Sequence, residues 1–190
     1  VGHFGNAGAF SFHPRKAITT GEGGMVTTGD EALATKIQQL RDHGAVLSDL
    51  QRHLGPKPYL LADHIHAGYN QRMTDIQGAL GAAQMDRAAA IITERRALAA
   101  GFDRALEDLD WLRTPTVADG FGHGYQSYPC MFRPNDITAD TVETINAERN
   151  AWMEELQARG VSTRPATHAV HMLSFYAEKY GLTPEVFPMA

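Results

Sequence analysis

The stretch FSFHPRKAITTGEGGMV, residues 10–26, decides how the rest of the chain reads. It sets a lysine, Lys16, between an aromatic-flanked serine, Ser11, and the glycines Gly21, Gly23 and Gly24. Residues 9–12 and 25–28 are short apolar and β-branched runs bounded by Gly and Pro, a pattern that predicts two strands with the lysine in their connection. Such a connection is either an ordinary solvated turn or a place where hydroxyl, amine and bare backbone meet one ligand. An amine that attacks a carbonyl must first lose its proton, which burial or a neighbouring cation promotes, and Arg15 is such a neighbour in sequence. The other three lysines sit in plainer settings: Lys36 on the polar face of a predicted helix, Lys57 between prolines, Lys179 beside Glu178. The GEGG run lacks the spacing of a P-loop or a dinucleotide fingerprint, so its glycines read as a tight turn and Glu22 is given no role.

Composition narrows the field. The 190 residues, 43% of them hydrophobic, suffice for one ordinary domain or two small ones. With 17 basic against 22 acidic side chains the formal charge is −5, so no basic field recruits nucleic acid or an anionic membrane, and small-molecule chemistry is the expectation. Cys130 is the sole cysteine, which excludes an internal disulfide and a zinc site built from several thiolates and fits a reducing cytoplasm. There is no signal peptide and no membrane-spanning run. The opening VGHFGNAGAFSF reads as sheet interior and the closing EVFPMA carries no polar tail, so a segment of a larger protein is expected.

Along the chain, Asp30 is a good N-cap for a helix carrying Leu33, Ile37 and Leu40 and ending at Gly44. Residues 44–72 read as a long irregular loop, which in a compact domain is usually functional or an interface. Thr74 and Gln77 form a capping box opening a Pro-free helical run to about Leu109. Its start, GALGAA, is small enough to admit a close neighbour: a sheet, a helix or a second subunit. Residues 110–124 form a Pro- and Gly-containing connection and the best boundary, giving domains 1–109 and 110–190. Beyond it, YQSYPCMF predicts an edge strand interrupted by Pro129, followed by a helix over 141–159, a short strand VST, a loop RPATHAVHML and a helix SFYAEKYG. The alternation indicates α/β or α+β architecture. Arg87, Arg95, Arg96 and Arg104, interleaved with Asp86, Glu94, Asp103 and Glu107, read as an ion-paired solvated face. The pairs His64/His66 and His168/His171 lack the further ligands a metal site needs, so no metal is expected.

The string SFHPRKAITTGEGGMV closely resembles the lysine segment of the DegT/StrS family of pyridoxal-phosphate-dependent sugar aminotransferases. Two further stretches resemble the same family in the same order: GYNQRMTDIQGALGAAQM at 68–85, and GVSTRPATHAVHML with the later Tyr and FP at 160–188. Three ordered matches across nearly the whole chain are far more specific than one motif. The fold implied is α/β of the aspartate-aminotransferase type (PLP fold type I), with residues 1–109 closing the large cofactor-binding domain and 110–190 supplying most of a smaller C-terminal one.

The resemblance also implies roles. Lys16 joins pyridoxal 5'-phosphate as a Schiff base and then moves the proton between substrate and cofactor, while Ser11 donates its hydroxyl to the cofactor phosphate. Asn70 reaches that phosphate from the partner subunit of a homodimer. Arg72 adds positive charge near the phosphate or a nucleotide-sugar substrate, and His168 lies near the sugar-binding mouth. The implied reaction moves an amino group, with glutamate as donor, to a keto-sugar, nucleotide-linked, in the cytoplasm. Family enzymes hold the cofactor's ring nitrogen with an aspartate upstream of this chain, so these 190 residues alone are expected to turn over little. Alternatives are a noncatalytic sugar-nucleotide-binding or regulatory paralogue, and a PLP-dependent sugar dehydratase, a branch that replaces the anchoring lysine with histidine. Retention of Lys16 argues against the dehydratase.

Overall fold

A computed structural model of the chain describes residue 2 and residues 4–187. Pro188, part of the third resembling stretch, lies outside them, as do Val1 and His3 of the opening run. The chain divides into two compact units, residues 1–97 with 124–126 and residues 98–123 with 127–190.

In the first unit, β1 (Gly8–Ser11) and β2 (Gly24–Thr27) pair antiparallel, Gly8 opposite Thr27 and Ser11 opposite Gly24. Both strands lie one residue earlier than their apolar runs predict. Gly24 is needed for the close pairing, since an added Cβ would stand 2.7 Å from the Phe10 carbonyl oxygen. Helix α1 (Glu31–Arg41) starts where Asp30 predicts: its carboxylate accepts from Ala32 N at 2.9 Å and Leu33 N at 3.0 Å. A cap of this kind stabilises by about 1 kcal/mol.

The helix stops at Arg41, short of Gly44, because Gly44 serves a different purpose. Its φ is 77°, and a Cβ there would overlap the His66 carbonyl; a Cβ on Gly68 would in turn overlap the Gly44 backbone. Two bare residues let the chain cross itself at this point. The crossing lays residues 63–71 along residues 41–46, with His43 N to Tyr69 O and Gln71 N to Arg41 O both at 2.8 Å and Val46 N to Asp63 O at 2.9 Å. The region expected to be an irregular loop is therefore partly laddered. It also holds a short helix, α2 (Asp49–Leu54), opened by a Ser48–Gln51 capping box.

The Thr74–Gln77 box opens α3 (Asp75–Met85) as the sequence predicts. The single helix expected to reach Leu109 is instead two. Asp86 closes α3 by donating its N–H to the Ala82 and Gln84 carbonyls, and α4 (Ala88–Leu106) follows; neither Pro nor Gly marks the break in the sequence. Arg95 on α4 donates to the Tyr125 carbonyl at 2.8 Å, so this member of the expected ion-paired face instead ties residues 124–126 to the helix.

In the second unit, β3 (Leu112–Arg113) pairs antiparallel with β4 (Met131–Phe132). The strand expected over 125–132 is confined to the two residues beyond Pro129, which has no N–H to offer a ladder. Trp111 packs on Phe132 and on Trp152 of α5 (Val142–Ala158), with ring centroids 5.4 Å apart in each pair. Ala99 and Ile145 are buried. Tyr128 stacks at 5.2 Å on Phe102 and donates its hydroxyl to Asp103, another charge drawn off the expected helix face. Burial and that carboxylate push the phenol up to about 12.

The expected VST strand does not form. Val161 N donates to Leu156 O at 2.8 Å, closing α5 across Gly160 (φ 84°). Helix α6 (Ser174–Tyr180) ends on Gly181 at φ 61°, a left-handed cap that glycine accepts without steric cost.

The chain exposes 14948 Å². Two separate compact bodies of half its mass would together expose about 11,000 Å². The excess is in part apolar: Phe4 and Leu61 are each 91% exposed and Ile76 83%. Among the described residues no helix is long and apolar enough to cross a membrane.

Candidate functional site: the lysine connection

The twelve-residue link between β1 and β2 is tied first to itself. Phe12 N donates to Gly23 O at 2.9 Å and Thr20 N to Phe12 O at 3.1 Å, prolonging the hairpin beyond its strands. Lys16 N donates to His13 O at 2.9 Å, making a tight turn that ends on the lysine. His13 supports that turn through its ring, Nδ1 accepting from Arg15 N at 3.2 Å. Thr19 Oγ1 donates to Phe12 O and accepts from Gly21 N, both at 3.0 Å. Thr20, only 4% exposed, donates to Glu22 O at 2.7 Å. Gly21 and Gly23 have φ of 81° and 149°, so the reading of GEGG as a turn that needs glycine holds in detail.

The link is then gripped from outside by three glutamine amides. Gln84 of α3 accepts from Thr19 N at 3.2 Å, and Gln77 of the same helix donates to Glu22 O at 2.9 Å. Gln126 donates to Arg15 O at 2.6 Å across 111 residues of sequence. The small start of α3 explains how the helix comes so near: a Cβ on Gly81 would stand 2.9 Å from the Thr20 methyl carbon. Met73 reaches the same place, its terminal carbon 3.0 Å from where a Gly23 Cβ would be. The neighbour that GALGAA admits, through Gly81, is thus the lysine connection, a loop where the sequence suggests a sheet, a helix or a second subunit.

Ser11 and Lys16 are brought into one loop. Both are exposed, and the serine hydroxyl accepts only a long 3.4 Å bond from His13 N. Among the described residues the lysine amine has no hydrogen-bond or ion-pair partner. Asn70 and Arg72 share a second segment, the one laid against α1's exit: Asn70 bridges Asp42, and the Arg72 guanidinium is ion-paired with the largely buried Asp42 carboxylate. His168 belongs to the second unit, where with His171, Tyr176, Tyr180 and Phe187 it lines a concavity of about 650 Å³. His171 is buried there, its ring edge-on to Phe187 at 5.1 Å. His64 is engaged otherwise, its Nδ1 3.1 Å from the His43 carbonyl oxygen.

The two stretches of the first unit that resemble one family therefore touch each other at four places. The model of the DegT/DnrJ/EryC1/StrS aminotransferase family matches residues 1–190. The chain belongs to this family. Its relatives include the uncharacterized protein MJ1066 of Methanocaldococcus jannaschii, 32% identical over all of this chain and 47% of that protein. GDP-perosamine synthase of Caulobacter vibrioides is 32% identical over 93% of this chain and 42% of its own length. Among solved structures, Helicobacter pylori PseC, an aminotransferase involved in the biosynthesis of pseudoaminic acid, superposes with a TM-score of 0.80 at 26% identity, covering 97% of this chain and 45% of PseC. The chain thus spans less than half the length of the relatives it matches. The α/β, aspartate-aminotransferase type of fold expected from the sequence is the one these relatives share.

The residues present fit the cofactor of such a family. An amine without a carboxylate partner and a hydroxyl whose proton has no acceptor among the described residues stand five positions apart in a braced loop, one suited to an aldehyde and the other to a phosphate oxygen. Two side chains that hold the connection escape the sequence reading, Gln84 and Gln126, because a lone glutamine carries no pattern. Gln77 is legible only as a helix cap.

Proposed function

We propose that this chain is part of a pyridoxal-phosphate-dependent aminotransferase that moves an amino group from glutamate to a keto-sugar carried on a nucleotide. The observation that carries this reading is the lysine connection: an unpaired amine in a loop whose backbone is fixed from three directions by the second family stretch and by Gln126. The bound cofactor supplies an electron sink for the carbon that loses its proton. Lys16 would hold the cofactor through its aldehyde, and its amine, once released, would carry the proton between the donor carbon and the cofactor carbon. Ser11 donates its hydroxyl to the cofactor phosphate. Asn70 donates to the same phosphate in the other subunit of a homodimer, so that two chains complete each site. Arg72 meets the anionic part of the sugar nucleotide and His168 its sugar. Residues 1–109 close the large cofactor-binding domain and 110–190 form most of the small one.

The test is made on the complete protein loaded with pyridoxal phosphate. Borohydride reduction fixes the label on Lys16, and glutamate converts the visible spectrum to that of the amine form. A label elsewhere, or a spectrum unmoved by glutamate, overturns the reading. Binding of a sugar nucleotide without any reducible linkage supports the noncatalytic alternative instead.

A further inference from the structure

The capping box at the start of α3 contains a choice that capping alone does not explain. A box of this kind works with Glu or Gln at its third helical position, because all it needs from that side chain is an acceptor oxygen. Gln77 supplies one: its Oε1 accepts from Thr74 N at 3.0 Å. Only glutamine has an amide nitrogen as well, and that nitrogen donates to Glu22 O at 2.9 Å. One side chain thus closes the helix and holds the far arm of the lysine connection. Gln126 holds the near arm through the carbonyl of Arg15, the residue before the lysine. The two donors bracket Lys16 on either side.

We propose that Gln77 and Gln126 are positioning residues for Lys16, acting through the backbone carbonyls of Glu22 and Arg15. Their task is to keep the connection from closing on itself or swinging outward when the amine leaves and rejoins the cofactor in each cycle. A loop with as many glycines as this one has ample freedom to do either. Placement of a reacting group within a fraction of an ångström is what such outer supports provide. The inference rests on the reading of Lys16 as the cofactor-binding lysine.

The chain contains its own control. The box opening α2 has the same chemistry, with Gln51 Oε1 accepting from Ser48 N at 2.9 Å, and there the amide nitrogen makes no bond among the described residues. Gln→Glu at either box keeps the cap and removes the donor. In the complete protein loaded with pyridoxal phosphate, Gln77→Glu, Gln126→Glu and the uncharged Gln126→Met are each compared with Gln51→Glu. The readouts are the concentration of pyridoxal phosphate that half-saturates the visible absorbance, the pH at which that absorbance changes, and the yield of borohydride label on Lys16. For Gln77→Glu and both Gln126 variants, half-saturation is expected to rise about five- to tenfold, the size expected from loss of one or two positioned hydrogen bonds, with labelling reduced and the unfolding midpoint close to that of Gln51→Glu. An effect shared by Gln126→Glu and Gln126→Met identifies the lost donor, not the new charge, as the cause. Wild-type saturation and labelling in the Gln77 and Gln126 variants overturns the proposal, as does an equal loss in Gln51→Glu. A wild-type protein that takes no label on Lys16 overturns the underlying reading instead.

Discussion

The lysine connection, residues 12–23, and the histidine segment, residues 161–173, are both stretches without regular strand or α-helix, yet they are held in opposite ways. The first is tied by side chains 55, 65 and 111 residues away in sequence, which converge on its backbone. The second is held among the described residues by short-range backbone bonds alone, such as Met172 N to Ala169 O at 2.9 Å, with His171 packed on Phe187 as its anchor. Under the proposed roles the difference has a reason: chemistry common to a family needs one fixed geometry, which long-range ties supply, whereas a substrate mouth has to differ between relatives, and a segment with few ties can change without disturbing the core.

Substitutions can break that contrast at several strengths. The largest effect belongs to Lys16→Ala, which is expected to abolish the borohydride-fixed label completely while leaving the unfolding midpoint within about 0.5 kcal/mol, since an exposed, unpaired side chain is removed. Retained label would end the contrast at its first term. Next comes Gly81→Ala, whose new methyl crowds Thr20; a loss of about 1–2 kcal/mol in denaturant titration is expected, as for other overpacked contacts. Thr20→Val removes the hydroxyl that Glu22 O accepts while keeping shape, and should cost about 1 kcal/mol. His168→Ala, in the loosely tied segment, is expected to leave stability within about 0.5 kcal/mol and to raise KM for the sugar substrate several-fold with kcat little changed. A large stability loss there would show the histidine segment to be as firmly built as the lysine one.

A smaller effect is read in alkali. Tyr128 is raised to about 12 by burial and by Asp103, so the folded state holds its phenolic proton more tightly than the unfolded chain does. The stability this contributes is fully present below about pH 10 and declines as pH rises towards 12. Comparing Tyr128→Phe with the parent in a pH series of unfolding should show the two curves converging in that window; parallel curves would contradict the assignment.

Sequence made the lysine, its glycine turn and the two α-helix N-caps at Asp30 and Thr74 legible because each is a local pattern whose geometry is set by neighbours in the chain. The strand at 161–163 failed for the complementary reason: β-propensity is realised only with a partner, and no segment among the described residues pairs there. The break at 86–87 left no mark because helix-breaking residues are absent from it. Gln84 and Gln126 were invisible because their meaning lies in the carbonyl or N–H they reach, 65 and 111 residues distant. The Ser48–Gln51 box is present in the sequence, but the Gly, Pro and His around it read as loop.

The clamps on the lysine connection are carboxamides, and carboxamides neither gain nor lose a proton between mild acid and alkali. The mount should therefore stay the same shape, and be indifferent to salt, over the whole range in which an aminotransferase is ordinarily assayed. In the proposed enzyme a bell in the rate profile would then not come from these three clamps, which leaves as its sources the reacting groups and the His13 ring that accepts from Arg15 N.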